Sequence, residues 1–168
     1  MKWIQRISNL CYASERILAV LLFAFMVISI LLGVFFRYFL NNPLSWSDEF
    51  AIFALVWITF IGGSMSLKVK KAAAMTFVMD VVPVAVRKVC VAAGTLLVLF
   101  FSAYLLYLSI RWFLSPNILI QRSQAVGLPM IIPYVAIPLG FLFMTVHALE
   151  IFAESLRNGD SRREEASG

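Results

Sequence analysis

The chain has 168 residues, of which 62% are hydrophobic and only 14% charged, with a mean hydropathy of +0.91. An ordinary soluble domain is about half apolar and roughly a quarter charged, so this composition excludes a water-soluble fold and requires lipid as part of the solvent. The net charge of +5 does not point to nucleic acid, because the basic residues sit in short clusters between apolar blocks rather than along a polar stripe.

Residues 2–16 carry Lys2, Arg6, Glu15 and Arg16 among Trp3, Ile4, Ile7, Leu10 and Cys11, which recur at helical spacing. The pattern predicts a short amphipathic helix lying in the membrane interface, with Trp3 at headgroup depth. A cleaved signal peptide is disfavoured, because the apolar run that follows is too long and lacks a small-x-small cleavage site. Four uncharged runs then appear at about 17–36, 50–67, 89–110 and 130–149. Each is long enough to cross roughly 30 Å of hydrocarbon at 1.5 Å per residue. The fourth contains Pro133, Pro138, Gly140 and His147, and neighbouring helices can satisfy the carbonyls its prolines free.

The stretch 72–86 is apolar but short, and Asp80 and Pro83 interrupt it. It reads as an in-plane or re-entrant segment within a 68–88 loop rather than a fifth span. Four spans place eleven basic residues beside the two termini and that loop, against three (Arg37, Arg111, Arg122) on the opposite side. That bias puts both termini in the cytoplasm. The expected architecture is an all-α integral membrane protein, a single domain over 1–156 with a polar, disordered cytoplasmic tail at 157–168.

Chemistry-bearing residues are sparse. The four runs contain no Asp, Glu, Lys or Arg, whereas coupled carriers place ionisable groups within the membrane where function justifies their cost. Cys11 and Cys90 form no CxxC or Cys/His cluster. The reading is a non-enzyme with no cofactor and no metal. His147, three residues before Glu150, reads as an interfacial histidine with a local acidic neighbour rather than a proton relay.

The densest cluster of specific residues is Phe36–Phe50, FRYFLNNPLSWSDEF. Arg37 and Tyr38 end the first span at an interface, and Asn41, Asn42 and Pro43 make a turn. Ser45 and Asp48 have the spacing of a capping box, and Asp48 and Glu49 sit at the positive end of the second span's dipole. One reading is plain helix punctuation. The other has Arg37 pairing with Asp48 or Glu49 to shape an outer docking surface. In the second span, Gly62 and Ser66 stand four apart beside Gly63 and Ser64, a spacing that admits a close partner helix. Trp57 lies mid-span, where its indole N–H wants an acceptor.

These residues resemble the small membrane subunit of tripartite ATP-independent periplasmic (TRAP) transporters, the DctQ-like family, over roughly 15–150. The resemblance rests on RY-x4-P-x2-W-x2-E, here Arg37, Tyr38, Pro43, Trp46 and Glu49, and on Trp57 with the Phe60-Ile61-Gly62-Gly63 patch. It extends to the fourth span through Gly127, Leu128, Pro129, Tyr134, Pro138 and Gly140. One departure is clear. Ala72 and Thr76 stand where members often carry a histidine and an aspartate, so no role of that pair transfers here.

The resemblance implies a bacterial inner-membrane scaffold with two protein partners, a large TRAP membrane subunit and a periplasmic substrate-binding protein, besides lipid. The system would take up an organic acid with sodium. Arg37, Tyr38, Pro43, Trp46, Asp48 and Glu49 would form the outer loop or its docking face. Trp57, Gly62, Gly63, Ser66, Pro129, Pro138 and Gly140 would pack against the large subunit. A stand-alone homo-oligomeric carrier or channel is the alternative.

Overall fold

The computed structural model of the chain describes the backbone of residues 2–79 and 84–165, and the side chains of 3–69 and 93–155. Helix α1 runs from Lys2 to Phe39. Asn41, with φ of 49°, and Pro43 end it, since neither a left-handed residue nor a proline continues a right-handed helix. Helix α2 spans Ser45–Met79, and α3 spans Val84–Phe113. A five-residue helix α4, Pro116–Ile120, begins with proline at its first turn, where a missing N–H costs nothing. Helices α5, Ile131–Tyr134, and α6, Ala136–Glu165, close the chain.

Four of these helices are long and apolar enough to cross a membrane, over Trp3–Phe39, Ser45–Val69, Ala93–Phe113 and Ile131–Ser155. Among the described residues there is no strand, only an isolated bridge between Arg122 and Pro129. In cross-section α1 packs on α2, α2 on α6, and α6 on α3, while α1 also reaches α6. The chain therefore forms a row of helices with α6 at its hinge. Large apolar side chains such as Leu97, Phe100 and Phe101 on α3, and Val20, Leu21 and Phe23 on α1, face outward.

The seams between helices are made mostly of small and polar residues. Ser8, Glu15 and Ser29 are buried on α1; Ser47, Ala54 and Ile61 on α2; Ser102 and Ser109 on α3; Gly140 and His147 on α6. Within each helix these positions recur at seven-residue intervals or multiples of seven, the period that keeps one face turned toward a neighbour. Such an inside-out distribution is what lipid demands. Apolar side chains gain nothing by leaving hydrocarbon, so close approach and hydrogen bonding select the interface. Ser102 and Ser109 donate to the carbonyls of Leu99 and Leu106, which satisfies their hydroxyls within the helix. Gly33 and Gly140 mark the tightest approaches: a Cβ on the first would lie 2.5 Å from Ser47 Oγ, and on the second 2.6 Å from Phe60 Cβ.

Helix lengths differ from the sequence expectation. Residues 2–16 are not a separate in-plane helix but the first turns of α1, continuous with the span. At 1.5 Å per residue α1 is about 57 Å long, nearly twice the hydrocarbon thickness. The reason is the polar set on its first turns, which packs against α2 and α6 and holds the segment in line. Likewise α2 continues to Met79, so residues 72–79 extend it. Asp80 to Pro83, and with them the choice between an in-plane and a re-entrant segment, lie outside the described residues. Helix α6 carries on to Glu165, through most of the stretch read as a disordered tail. The fourth span is divided at Val135 into α5 and α6, near the two prolines that remove backbone donors.

Candidate functional site

Two polar groupings stand at opposite ends of the long helices. At the loop end, Arg37 in the last turn of α1 donates from Nη2 to Asp48 Oδ2 on α2 at 2.9 Å, with both side chains more than half exposed. This settles which acid Arg37 pairs with. Glu49 does something else: its two carboxylate oxygens accept the backbone N–H groups of Gln124 and Ala125, each at 3.1 Å. Sequence reasoning missed this use, because the donors lie 75 and 76 residues away and are main-chain groups. The capping box is not formed. Ser45 opens the helix instead of capping it, the Ser47 hydroxyl donates to the Leu44 carbonyl at 2.9 Å, and Asp48 turns to Arg37.

The loop that Glu49 holds is built around Ser123. Its backbone N–H donates to Leu128 O at 2.8 Å, and its hydroxyl accepts from the N–H groups of Val126 and Leu128. Gly127 has φ of +70°, a left-handed conformation that suits glycine and lets the loop reverse. Met130 N–H closes the turn onto Gln121 O at 3.0 Å. Tyr134 packs its ring against Trp112 at 5.2 Å, tying the start of the fourth span to the end of α3. Of the other residues expected here, Tyr38 and Pro43 are exposed, while Trp46 is half-buried against Phe50 at 5.8 Å.

The opposite end holds a buried ionic cluster drawn from three helices. His147 on α6 and Glu15 on α1 are completely shielded, with His147 Nε2 3.0 Å from Glu15 Oε2. His147 Nδ1 lies 2.6 Å from Ser8 Oγ, and the Ser8 hydroxyl donates to Glu150 Oε2. Lys68 of α2 donates to Ser8 Oγ at 2.9 Å and to Asn9 Oδ1 at 2.7 Å, with Glu150 Oε2 at 3.5 Å. Its ammonium also sits 5.6 Å from the Tyr12 ring centroid. The reading of His147 as a merely local partner of Glu150 is thus too small. Its partners Ser8 and Glu15 come from 139 and 132 residues earlier. The available signal was the seven-residue spacing of Ser8 and Glu15, which puts both on one face of α1.

The third feature is an open stripe on α2. Ile52, Leu55, Thr59, Gly62 and Gly63 are exposed, with Ser66 half-exposed on the same face. A Cβ added to Gly62 or Gly63 would meet nothing within 4 Å. Trp57 is half-buried and lies round the helix from this stripe. Gly140 is buried inside the chain against Phe60, whose ring meets Phe141 at 5.6 Å. Pro129 and Pro138 are partly covered by the chain itself. Among the described residues no group of His, Cys, Asp and Glu has the arrangement of a metal site.

The profile of the tripartite ATP-independent periplasmic transporters, DctQ component, matches residues 26–158. The chain is 22% identical to the C4-dicarboxylate TRAP transporter small permease protein DctQ of Vibrio cholerae, over 89% of this chain and 74% of that protein. It is 27% identical to the ectoine TRAP transporter small permease protein TeaB of Halomonas elongata, over 92% of this chain and 80% of that protein. A further relative is the isethionate TRAP transporter permease protein DctMQ of Oleidesulfovibrio alaskensis, 26% identical over 67% of this chain but only 18% of that longer protein.

Proposed function

The chain belongs to the DctQ component family of TRAP transporters, multi-pass inner-membrane transport subunits and not enzymes, and from that premise we propose that it scaffolds sodium-coupled uptake of an organic acid. DctQ subunits work with a large membrane subunit, and the fused DctMQ relative carries both in one chain. In this reading the large subunit moves the substrate, and the present chain anchors it in the bilayer. Both termini face the cytoplasm, as the bias of basic residues requires. The loop end, with Arg37, Asp48, Glu49 and the Ser123 loop, then faces the periplasm and contributes to the surface that a substrate-binding protein meets.

The observation that carries this reading is the stripe on α2. Gly62 and Gly63 present bare backbone to the outside, beside Thr59 and Ser66. Lipid tails gain nothing from a glycine, whereas a partner helix gains close van der Waals approach. Trp57, Pro129 and Pro138 flank the interface in this reading rather than forming its centre.

The test is affinity purification of this chain in mild detergent with identification of what accompanies it. A large transport subunit should co-purify, and Gly62→Leu should lower its yield while the chain still inserts, since the added side chain meets open space within the chain's own fold. A complex that survives Gly62→Leu unchanged removes the stripe from the interface. A chain that brings no large subunit with it contradicts the proposal.

A further inference from the structure

Helix α3 packs on α6 through the seam that holds Ser102 and Ser109. Half a turn round the helix from that seam, Ala93, Leu97, Phe100, Tyr104, Tyr107 and Arg111 follow one another at alternating steps of four and three. That spacing sets them in one line, and every one of them is exposed. The line changes chemistry along its length. Ala93 and Leu97 are aliphatic. Phe100 and Tyr104 come next, their rings stacked at 6.5 Å with only 5° between their planes. Arg111 ends the line two residues before the end of the span. It lies over the Tyr107 ring, with Cζ 6.0 Å from the centroid, and donates from Nη1 to the Tyr107 hydroxyl at 3.4 Å.

Two polar requirements are left open on this face. Among the described residues Arg111 meets no carboxylate, because Asp48 is held by Arg37 and Glu49 by the backbone N–H groups of Gln124 and Ala125. The tyrosine hydroxyls also stand at the polar end of an otherwise apolar line, where each wants a hydrogen-bond partner. A partner helix is a poor occupant. Close helix approach selects small residues, and here three aromatic rings stand out from the axis. The order apolar, amphipathic, cationic is instead the complement of a lipid lying along a helix. From Phe100 to Arg111 the line runs about 16 Å at 1.5 Å per residue, close to half of the roughly 30 Å hydrocarbon core.

We propose that this face of α3 binds one phospholipid with a net-negative headgroup, its phosphate on the Arg111 guanidinium and an acyl chain along Phe100 and Leu97. A guanidinium fork suits phosphate oxygens, which can accept two parallel N–H bonds. Its ring contact with Tyr107 holds that fork beside the line. The tyrosine hydroxyls reach the depth of the ester groups. An anionic headgroup is preferred over a zwitterionic one because no carboxylate is free there to receive an ammonium. The inference rests on the membrane-spanning fold and not on the chain's role in transport.

The experiment reconstitutes the full chain in bilayers of equal phosphatidylglycerol and phosphatidylethanolamine. The protein is then released into mild detergent, and native mass spectrometry counts the lipid that stays bound. The wild type should retain phosphatidylglycerol over phosphatidylethanolamine by about fivefold, the scale set by one arginine beside an anionic lipid surface. Arg111→Gln should bring the ratio to one. Arg122→Gln is the control: Arg122 is likewise exposed and meets no carboxylate among the described residues, but it has no aromatic line beside it. Its ratio should stay at the wild-type value. Equal retention of the two lipids by the wild type, an unchanged ratio in Arg111→Gln, or equal losses in the two variants overturns the proposal. Phosphatidylglycerol carrying a photoreactive diazirine in its acyl chain gives the second readout. Label should concentrate on 97–107 in the wild type and fall there in Arg111→Gln. Label spread evenly over α1 and α3 contradicts the site.

Discussion

The two ends of the helices use similar chemistry to opposite effect. At the loop end, Arg37 and Asp48 meet at 2.9 Å with more than half of each side chain exposed. At the other end, Glu15 and His147 meet at 3.0 Å with no exposure at all. Distance alone would rank them as equals. In water an exposed pair is screened and contributes about 0–1 kcal/mol. Without water each buried charge needs a partner, and removing one partner costs about 3–5 kcal/mol. The difference teaches where this fold is fragile: at the buried end, where three helices share one polar network.

The largest effect should come from breaking that network. Lys68→Met takes the ammonium away from Ser8, Asn9 and Glu150 in this buried network, and should destabilise the chain by about 3–5 kcal/mol, read as a lower unfolding temperature in detergent. A change no larger than that of an exposed substitution would break the comparison. Next are the close approaches. Gly140→Ala forces a Cβ against Phe60 Cβ at 2.6 Å and should cost about 1–3 kcal/mol by overpacking, whereas Gly62→Ala should leave the unfolding temperature unchanged. Glu49→Ala comes third. It removes the acceptor for two main-chain N–H groups, each charge-assisted bond worth about 1.5–3 kcal/mol before solvent screening. The effect should be local: faster proteolysis within 121–129 with little change in global stability. Smallest is Arg37→Ala, expected to shift stability by less than about 1 kcal/mol.

The contrast also explains what the sequence made legible. Four spans are readable because uncharged runs of this length have no other explanation, and the structure places helices over each of them. Their ends were less readable. The apolar run stops at Phe36 near the observed end of α1, but its start at Ile17 hides fifteen further helical residues. Those residues are held by contacts to Lys68 and His147, which no local pattern reveals. At the loop end, Arg37, Asp48 and Glu49 were visible because they lie within thirteen positions of one another. The choice among their pairings was not, since Glu49's partners are backbone N–H groups of a distant loop. Gly62 and Gly140 looked alike in sequence and differ in three dimensions: one opens outward and the other is filled by Phe60.

The central claim, that this chain is a scaffold without transport of its own, is tested most directly by reconstitution. Proteoliposomes containing this chain alone, the large subunit alone, or both would be supplied with the substrate-loaded binding protein and a sodium gradient. The account expects uptake only when both membrane subunits are present. Flux from this chain by itself, or full uptake in its absence, would contradict it.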